Sequence, residues 1–354
     1  MTIPLSVLDL AVVRSDSSHS EALADTIAVA READRIGYRR FWVAEHHGMP
    51  GIASSSPPVL IGAVAAATER IRVGSGGVML PNHSSLVVAE QFGTLVALHG
   101  DRIDLGLGRA AGTDPLVSAM IRRNVGVETV DDFPAQVLEL LAYFGTIPAL
   151  DGGQGSRIVA VPGMGDSPEL WLLGSSDFSA RLAGMMGLPF AFAHHFAGGE
   201  QTPLAFELYR DAFRPSVVLS EPHAMVAIST LVADSTDEAR RLMLPGQLQF
   251  LRLRSGHPTR LPSLEEAEAH PWTDGERAFA EQRIRHQAIG TLDEVRAAID
   301  GLVASTGADE VIVVPQGPTL DTRLRTLREL APNAAPSAAP DAAPGVAPVA
   351  APAT

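Results

Sequence analysis

Three short stretches of this chain carry residue types that chemistry needs. The segment RRFWVAEHH, Arg39 to His47, is apolar from Phe41 to Ala44 and then ends in Glu45, His46 and His47. A neutral histidine at a strand end can take or give a proton near pH 7. Neighbouring residues on an extended chain point to opposite faces, so His46 and His47 do not readily share a metal, and only one of them faces a site at the strand tops. No metal site is expected. The same residues would also serve simply to cap a sheet and bond loop backbone, and the sequence leaves both readings open.

The second stretch, Gly174-Ser175-Ser176-Asp177, lies between an apolar run and a helical pattern. Free backbone N–H groups at a helix start, with small hydroxyls beside them, make an anion nest. A plain helix cap at Ser176 or Asp177 is the other reading. Arg109 strengthens the anion reading. It closes the run RIDLGLGR, in which Gly106 and Gly108 leave room for a flat ligand, and a guanidinium fork suits a phosphate. The third stretch is Gly76-Gly77, inside the apolar run IRVGSGGVML. Glycine there costs strand stability and marks close approach of backbone to a ligand.

Elements must bring these stretches together. Apolar runs at Leu5–Val13, Phe41–Ala44, Ile71–Leu80, Ile103–Leu107, Leu170–Leu173, Pro189–Ala193, Ala224–Val232 and Glu310–Val314 read as buried parallel strands, each followed by a helical pattern. The first helix, about Glu21 to Ile36, has an apolar stripe and ends at Gly37. Eight such units predict an α/β fold, a (β/α)8 TIM barrel with insertions, whose site lies at the carboxyl ends of the strands. Residues 1–330 form the barrel domain. Residues 145–169, rich in Gly and Pro, read as an excursion, and 246–277 as an irregular lid or insertion. Residues 331–354, with frequent proline and no aromatic residue, read as a disordered tail. Trp42 and Trp272 are candidates to line a pocket, Trp42 equally a core residue.

Composition narrows the partners. Of 354 residues, 46% are hydrophobic, which suffices for one large core. A net charge of −14 argues against nucleic acid and anionic membrane surfaces as partners. With no cysteine, disulfides and thiolate catalysis are excluded. No apolar run is long enough for a bilayer span, and MTIPLSVLDL reads as a first strand rather than a signal peptide. A cytoplasmic protein is the expectation.

The pieces WVAEHHGMPG, RIRVGSGGVMLPNHSSLVVAEQF and GDRIDLGLGRAAGTDP, with PELWLLGSSDFSARLAGMMGLPFAFAHHF and IGTLDEV, together resemble the bacterial luciferase-like flavin monooxygenases. Within them the chain is most similar to single-chain members with no assigned substrate. The resemblance runs from the first strand to about Leu330 and implies a barrel, commonly dimeric. It implies reduced FMN made by a separate flavin reductase, with O2 and a small organic substrate as further partners. It carries a role for His46 in forming or using a C4a-hydroperoxyflavin. It places Gly76 and Gly77 beside the isoalloxazine, where family members have alanines, and Arg109 with Gly174, Ser175 and Ser176 on the FMN phosphate. The absence of cysteine separates this chain from the luciferases proper.

Three functions compete. The first is an FMN-dependent monooxygenase, an oxidoreductase. The second is an F420-dependent oxidoreductase that transfers hydride; the acidic tail of that cofactor would favour a basic groove, which an acidic chain poor in lysine offers less readily. The third is a flavin-binding protein without turnover, which would have no use for a base at His46.

Overall fold

The computed structural model describes residues 3–110, 115–121, 132–148, 158–197, 199 and 201–331. The middle of the 145–169 excursion and nearly all of the tail lie outside the described residues.

Nine strands form one parallel sheet: β1 (Leu5–Asp9), β2 (Arg40–Val43), β3 (Arg72–Met79), β4 (Ile103–Gly108), β5 (Glu169–Gly174), β6 (Phe190–Phe192), β7 (Ala224–Val232), β8 (Ala288–Gly290) and β9 (Glu310–Pro315). Strands β1 to β6 pair in sequence order, β7 pairs with β6 and with β9, and β9 returns to β1. The ring therefore closes on eight strands, as a (β/α)8 barrel requires. The short β8 lies outside the ring, on the upper end of β7 at Thr230 to Val232.

The helices that cover the ring are α1 (His19–Ile36), α2 (Pro57–Ala66), α3 (Ser85–His99), α4 (Pro115–Ile121), α5 (Phe133–Tyr143), α6 (Asp177–Met186), α7 (His194–Ala197), α8 (Thr202–Ala212), α9 (Thr236–Arg254), α10 (Leu264–Ala269), α11 (Asp274–Ile284), α12 (Leu292–Thr306) and α13 (Leu320–Leu330). Their starts are written locally. Ser18 and Glu21 make a reciprocal capping box on α1, as do Thr273 and Glu276 on α11 and Thr291 and Glu294 on α12. Gly37, Gly187 and Gly307 end α1, α6 and α12 in the left-handed region.

Two expectations change. The first strand stops at Asp9 rather than Val13, because the Asp9 carboxylate turns back to accept the Ala11 N–H at 2.7 Å. Beyond it the chain crosses to another loop, Val13 N–H donating to Gly51 O at 2.9 Å. The segment 246–277 is not irregular: α9 continues through Pro245 to Arg254, and α10 and the start of α11 follow. Ser263 accepts from Glu266 N–H and Thr273 from Glu276 N–H, so two S/T-x-x-E caps there outweigh the dispersed Arg, Pro and His.

Apolar side chains form two main layers, with a smaller cluster of Leu231, Ala233, Ala239, Met243 and Ile284 under α9 and α11. One packs the outside of the ring against the helices, with Phe41, Val73, Phe92, Leu105, Phe190 and Val313 among its members. The other fills the barrel itself: Leu8, Trp42, Trp171, Met225 and Ile312. Below the tryptophans the interior is ionic. Arg40, 1% exposed, donates to Asp104 at 2.9 Å, to Glu169 at 2.9 Å and to Glu310 at 3.1 Å. Burial alone would lower the Arg40 pKa, but the three carboxylates hold it well above its ordinary value. Asp104 also accepts the Trp42 indole N–H at 2.9 Å, and Glu169 that of Trp171 at 2.9 Å.

Arg40→Ala removes the central, buried cation and leaves the buried carboxylates of Asp104 and Glu310 with only the partly exposed Arg72 and Arg39 as counter-charges. Urea unfolding is expected to show a loss of about 3–5 kcal/mol. A loss below about 1 kcal/mol, the range of an exposed pair, would contradict a supporting role for this network.

Candidate functional site

With the lower end closed, the open end of the barrel is the end where β2 to β6 finish. A cavity of about 230 Å³ opens there, lined by His46, Gly76, Gly77, Arg109, Gly174, Ser175 and Ser176 among others. All seven residues singled out in the sequence meet at this one cavity, although they come from four different strand ends.

Its floor and back wall are set by Trp42, which is fully buried in the barrel and also lines the cavity. Trp272 does neither job: it packs edge-on to His270 and donates to Ala267 O at 2.8 Å, away from this cavity. The Gly76-Gly77 peptide is cis. A Cβ at Gly76 would come within 2.7 Å of Leu8 and 3.2 Å of Trp42, and one at Gly77 within 2.8 Å of Gly106 O. A side chain at Gly77 would have to displace backbone, whereas one at Gly76 would displace the end of the Leu8 side chain; with glycine at both, the cavity wall is bare backbone. The β3–β4 register slips by one residue here, between Ser75 and Val78.

The opposite side suits an anion. Ser176 precedes α6 in extended conformation, and its side chain makes no cap bond, so the first-turn N–H groups are not claimed by it. Gly174 packs directly on Ser179, leaving no space for a side chain. Arg109 stands at the end of β4 with its guanidinium over the Phe178 ring at 4.0 Å. Stacking covers the face and leaves the edge donors for a ligand.

The histidines divide by role. Burial lowers the His46 pKa, so the ring is neutral at pH 7, and its Nδ1 is buried without a hydrogen-bond partner. An orphaned ring nitrogen at a cavity wall is a group built for something bound there. His47 faces away from it. The Nε2–H groups of His47 and His83 each donate to Glu45 Oε1 at 2.8 Å, and Met79 N–H donates to Oε2 at 3.0 Å. Burial alone would raise the Glu45 pKa, but these donors hold it at about 2. Glu45 thus clamps the end of β2 to the end of β3, fixing His46 beside the glycines.

Sequence reasoning passed over His195. It follows β6 as His46 follows β2, and lines the same cavity. Its Nδ1–H donates to Ala227 O at 3.3 Å, which leaves Nε2 as the acceptor nitrogen, and burial pushes its pKa down to about 4. The signal was present, since His194-His195 repeats the strand-end pair of His46-His47. His194 is structural, held by Thr202 Oγ1 and His286 O at 2.7 Å each.

A model of the family described as luciferase-like monooxygenase matches residues 3–310. A protein of Escherichia coli K12 named luciferase-like monooxygenase is 44% identical over 312 residues, covering 88% of this chain and 91% of the relative. An uncharacterised Bacillus subtilis protein, YvbT, is 45% identical over 327 residues, covering 92% and 95%. Among solved structures, apo-MsnO8 superposes with a TM-score of 0.83 at 37% identity, covering 93% of this chain and 97% of that one.

Glu45 titrates at about 2 rather than the ordinary 4.5. The clamp therefore contributes fully above about pH 5 and is lost as the pH falls toward 2, a contribution on the order of 3 kcal/mol. Glu45→Gln is expected to lower stability at neutral pH and to flatten the acid-side decline across that window, read by urea unfolding at stepped pH. An unchanged slope would contradict the clamp.

Proposed function

The chain belongs to the luciferase-like monooxygenase family and is a flavin-dependent monooxygenase acting with O2 on an organic substrate; from that premise we propose that it uses reduced FMN supplied by a separate reductase, held in the 230 Å³ cavity beside His46. The observation that carries this reading is the meeting of an anion cradle, a bare-backbone wall and a partnerless neutral histidine in one cavity.

The residues present fit the cofactor. Arg109 and the first turn of α6, with Gly174, Ser175 and Ser176, would hold its phosphate. The bare backbone at Gly76 and Gly77 leaves this wall of the cavity open to a flat ring. When bound, the reduced flavin supplies the electrons that activate O2. Leu8, Ala191 and Ile312 line the cavity with apolar surface that keeps water away. His46, neutral at pH 7, holds or delivers a proton at Nδ1. A second cavity adjoins this one, lined in part by Met243, Phe250 and Arg283, and helices α9 to α11 are its proposed cover. A hydride-transferring F420 enzyme would share the cradle, but its acidic tail asks for a basic groove, and the chain carries a net −14.

Two variants test the assignment. The wild-type protein is expected to bind FMN about 10- to 100-fold more tightly than riboflavin, which lacks the phosphate, and Arg109→Gln to erase that preference. Equal affinity for the two flavins in the wild type would contradict the cradle. His46→Asn is expected to leave affinity for reduced FMN intact while changing the rate of flavin reoxidation by O2 by at least about tenfold. Reoxidation at the wild-type rate would remove His46 from the chemistry.

A further inference from the structure

A second cavity, of about 270 Å³, adjoins the first and shares Leu8, Leu10, His46 and His195 with it. If the first cavity holds the flavin, as proposed above, this one holds the substrate. Much of its wall is apolar, at Val12, Ile52, Met243 and Phe250. Its titratable groups are Asp9, His46, His195, Arg283 and Arg323.

Charge in this chamber does not balance. Asp9 pairs with Arg323, and Asp9 also accepts from Thr26 Oγ1 at 2.8 Å. Burial lowers both histidine pKa values, so neither carries charge at pH 7. One guanidinium remains, that of Arg283. Its face lies on the Phe250 ring at 4.0 Å; Phe250 stacks on Phe279 at 6.0 Å, and Arg254 sits over Phe279 at 5.6 Å. The stack between α9 and α11 fixes the plane of the group and occupies its face only. Among the described residues its edge donors meet no carboxylate and no hydrogen-bond acceptor, and burial lowers its pKa with nothing to offset it. In a chain with 41 acidic residues against 27 basic ones, an uncompensated cation inside an apolar chamber is not a default outcome.

We propose that Arg283 is a substrate-recognition residue, and that the substrate carries a carboxylate-type oxyanion on an apolar body whose other end reaches His46. A bound carboxylate would take two parallel N–H bonds from the guanidinium edge and offset its desolvation. A neutral molecule of the same shape would leave the cation unpaired, which is how a buried polar group discriminates. The apolar walls accept the body, and the neutral histidines do not compete for the anion.

Calorimetric titration of the full chain without flavin, using octanoate and octan-1-ol as probes near pH 7.5, tests this. Octanoate is expected to bind at least about tenfold more tightly than the alcohol. Arg283→Gln removes the difference and Arg283→Lys, which keeps the charge and loses the fork, retains part of it. Equal binding of the two probes by the wild type, or a preference that survives Arg283→Gln, overturns the proposal. FMN titration of the same proteins separates this claim from the cofactor assignment. Octanoate preference without flavin binding leaves the anion site standing and sinks the flavin reading; flavin binding without octanoate preference does the reverse. Arg283→Gln is expected to bind FMN as the wild type does, which also shows that the variant is folded.

Discussion

One buried cation organises this barrel. Arg40 contacts carboxylates from three other strands, β4, β5 and β9, and does so with 1% of its surface exposed. Charges that are this desolvated tolerate only partners in the right place. Asp104 and Glu169, fixed by Arg40, in turn receive the indole N–H groups of Trp42 and Trp171, whose rings meet edge to face at 5.7 Å. Trp42 then becomes the wall on which Gly76 packs closely. The chain of cause runs from an ion network at the closed end, through two oriented indoles, to a ligand-sized space at the open end.

At the open end the electrostatic logic reverses. The lower network pairs the buried Arg40, with Arg72 and Arg39 at its edge, against the carboxylates of Asp104, Glu169 and Glu310. The upper cavities keep their histidines neutral by burial and, among the described residues, leave the guanidinium groups of Arg109 and Arg283 stacked on phenylalanines rather than paired with carboxylates. Glu45, beside His46 in the chain, is saturated by His47, His83 and Met79 N–H, and Asp9, which lines the second cavity, by Arg323, Thr26 Oγ1 and Ala11 N–H. Negative charge at these cavities is thus already paired, at a site whose ligands, on the proposed reading, bring their own. The adjacent histidines of EHH consequently have separate jobs, His47 locking the clamp and His46 facing the cavity.

Much of this was legible from residue order. Continuous apolar runs fixed seven of the strands closely, because strands buried on both faces do not alternate. Glycine in mid-strand and arginine at a strand end marked the cavity walls, because each is costly elsewhere. What escaped depends on distance in space. Nothing local says that Arg40, Asp104, Glu169 and Glu310 meet; each is one polar residue at the edge of an apolar run. Arg283 lay hidden in a stretch crowded with Arg, Glu and Gln, and became visible only once Phe250 and Phe279 were seen to stack beneath it. The first strand was read too long because Val12 and Val13 look like strand, whereas the Asp9 side chain ends it.

The central claim is that the cavity between β2 and β6 receives a reduced flavin. The most direct test is anaerobic equilibrium titration of the full chain with reduced FMN, oxidised FMN and F420. Saturable binding at one site per chain, tightest for reduced FMN, is expected. Binding of F420 in preference to reduced FMN, or no binding of any flavin, would contradict it.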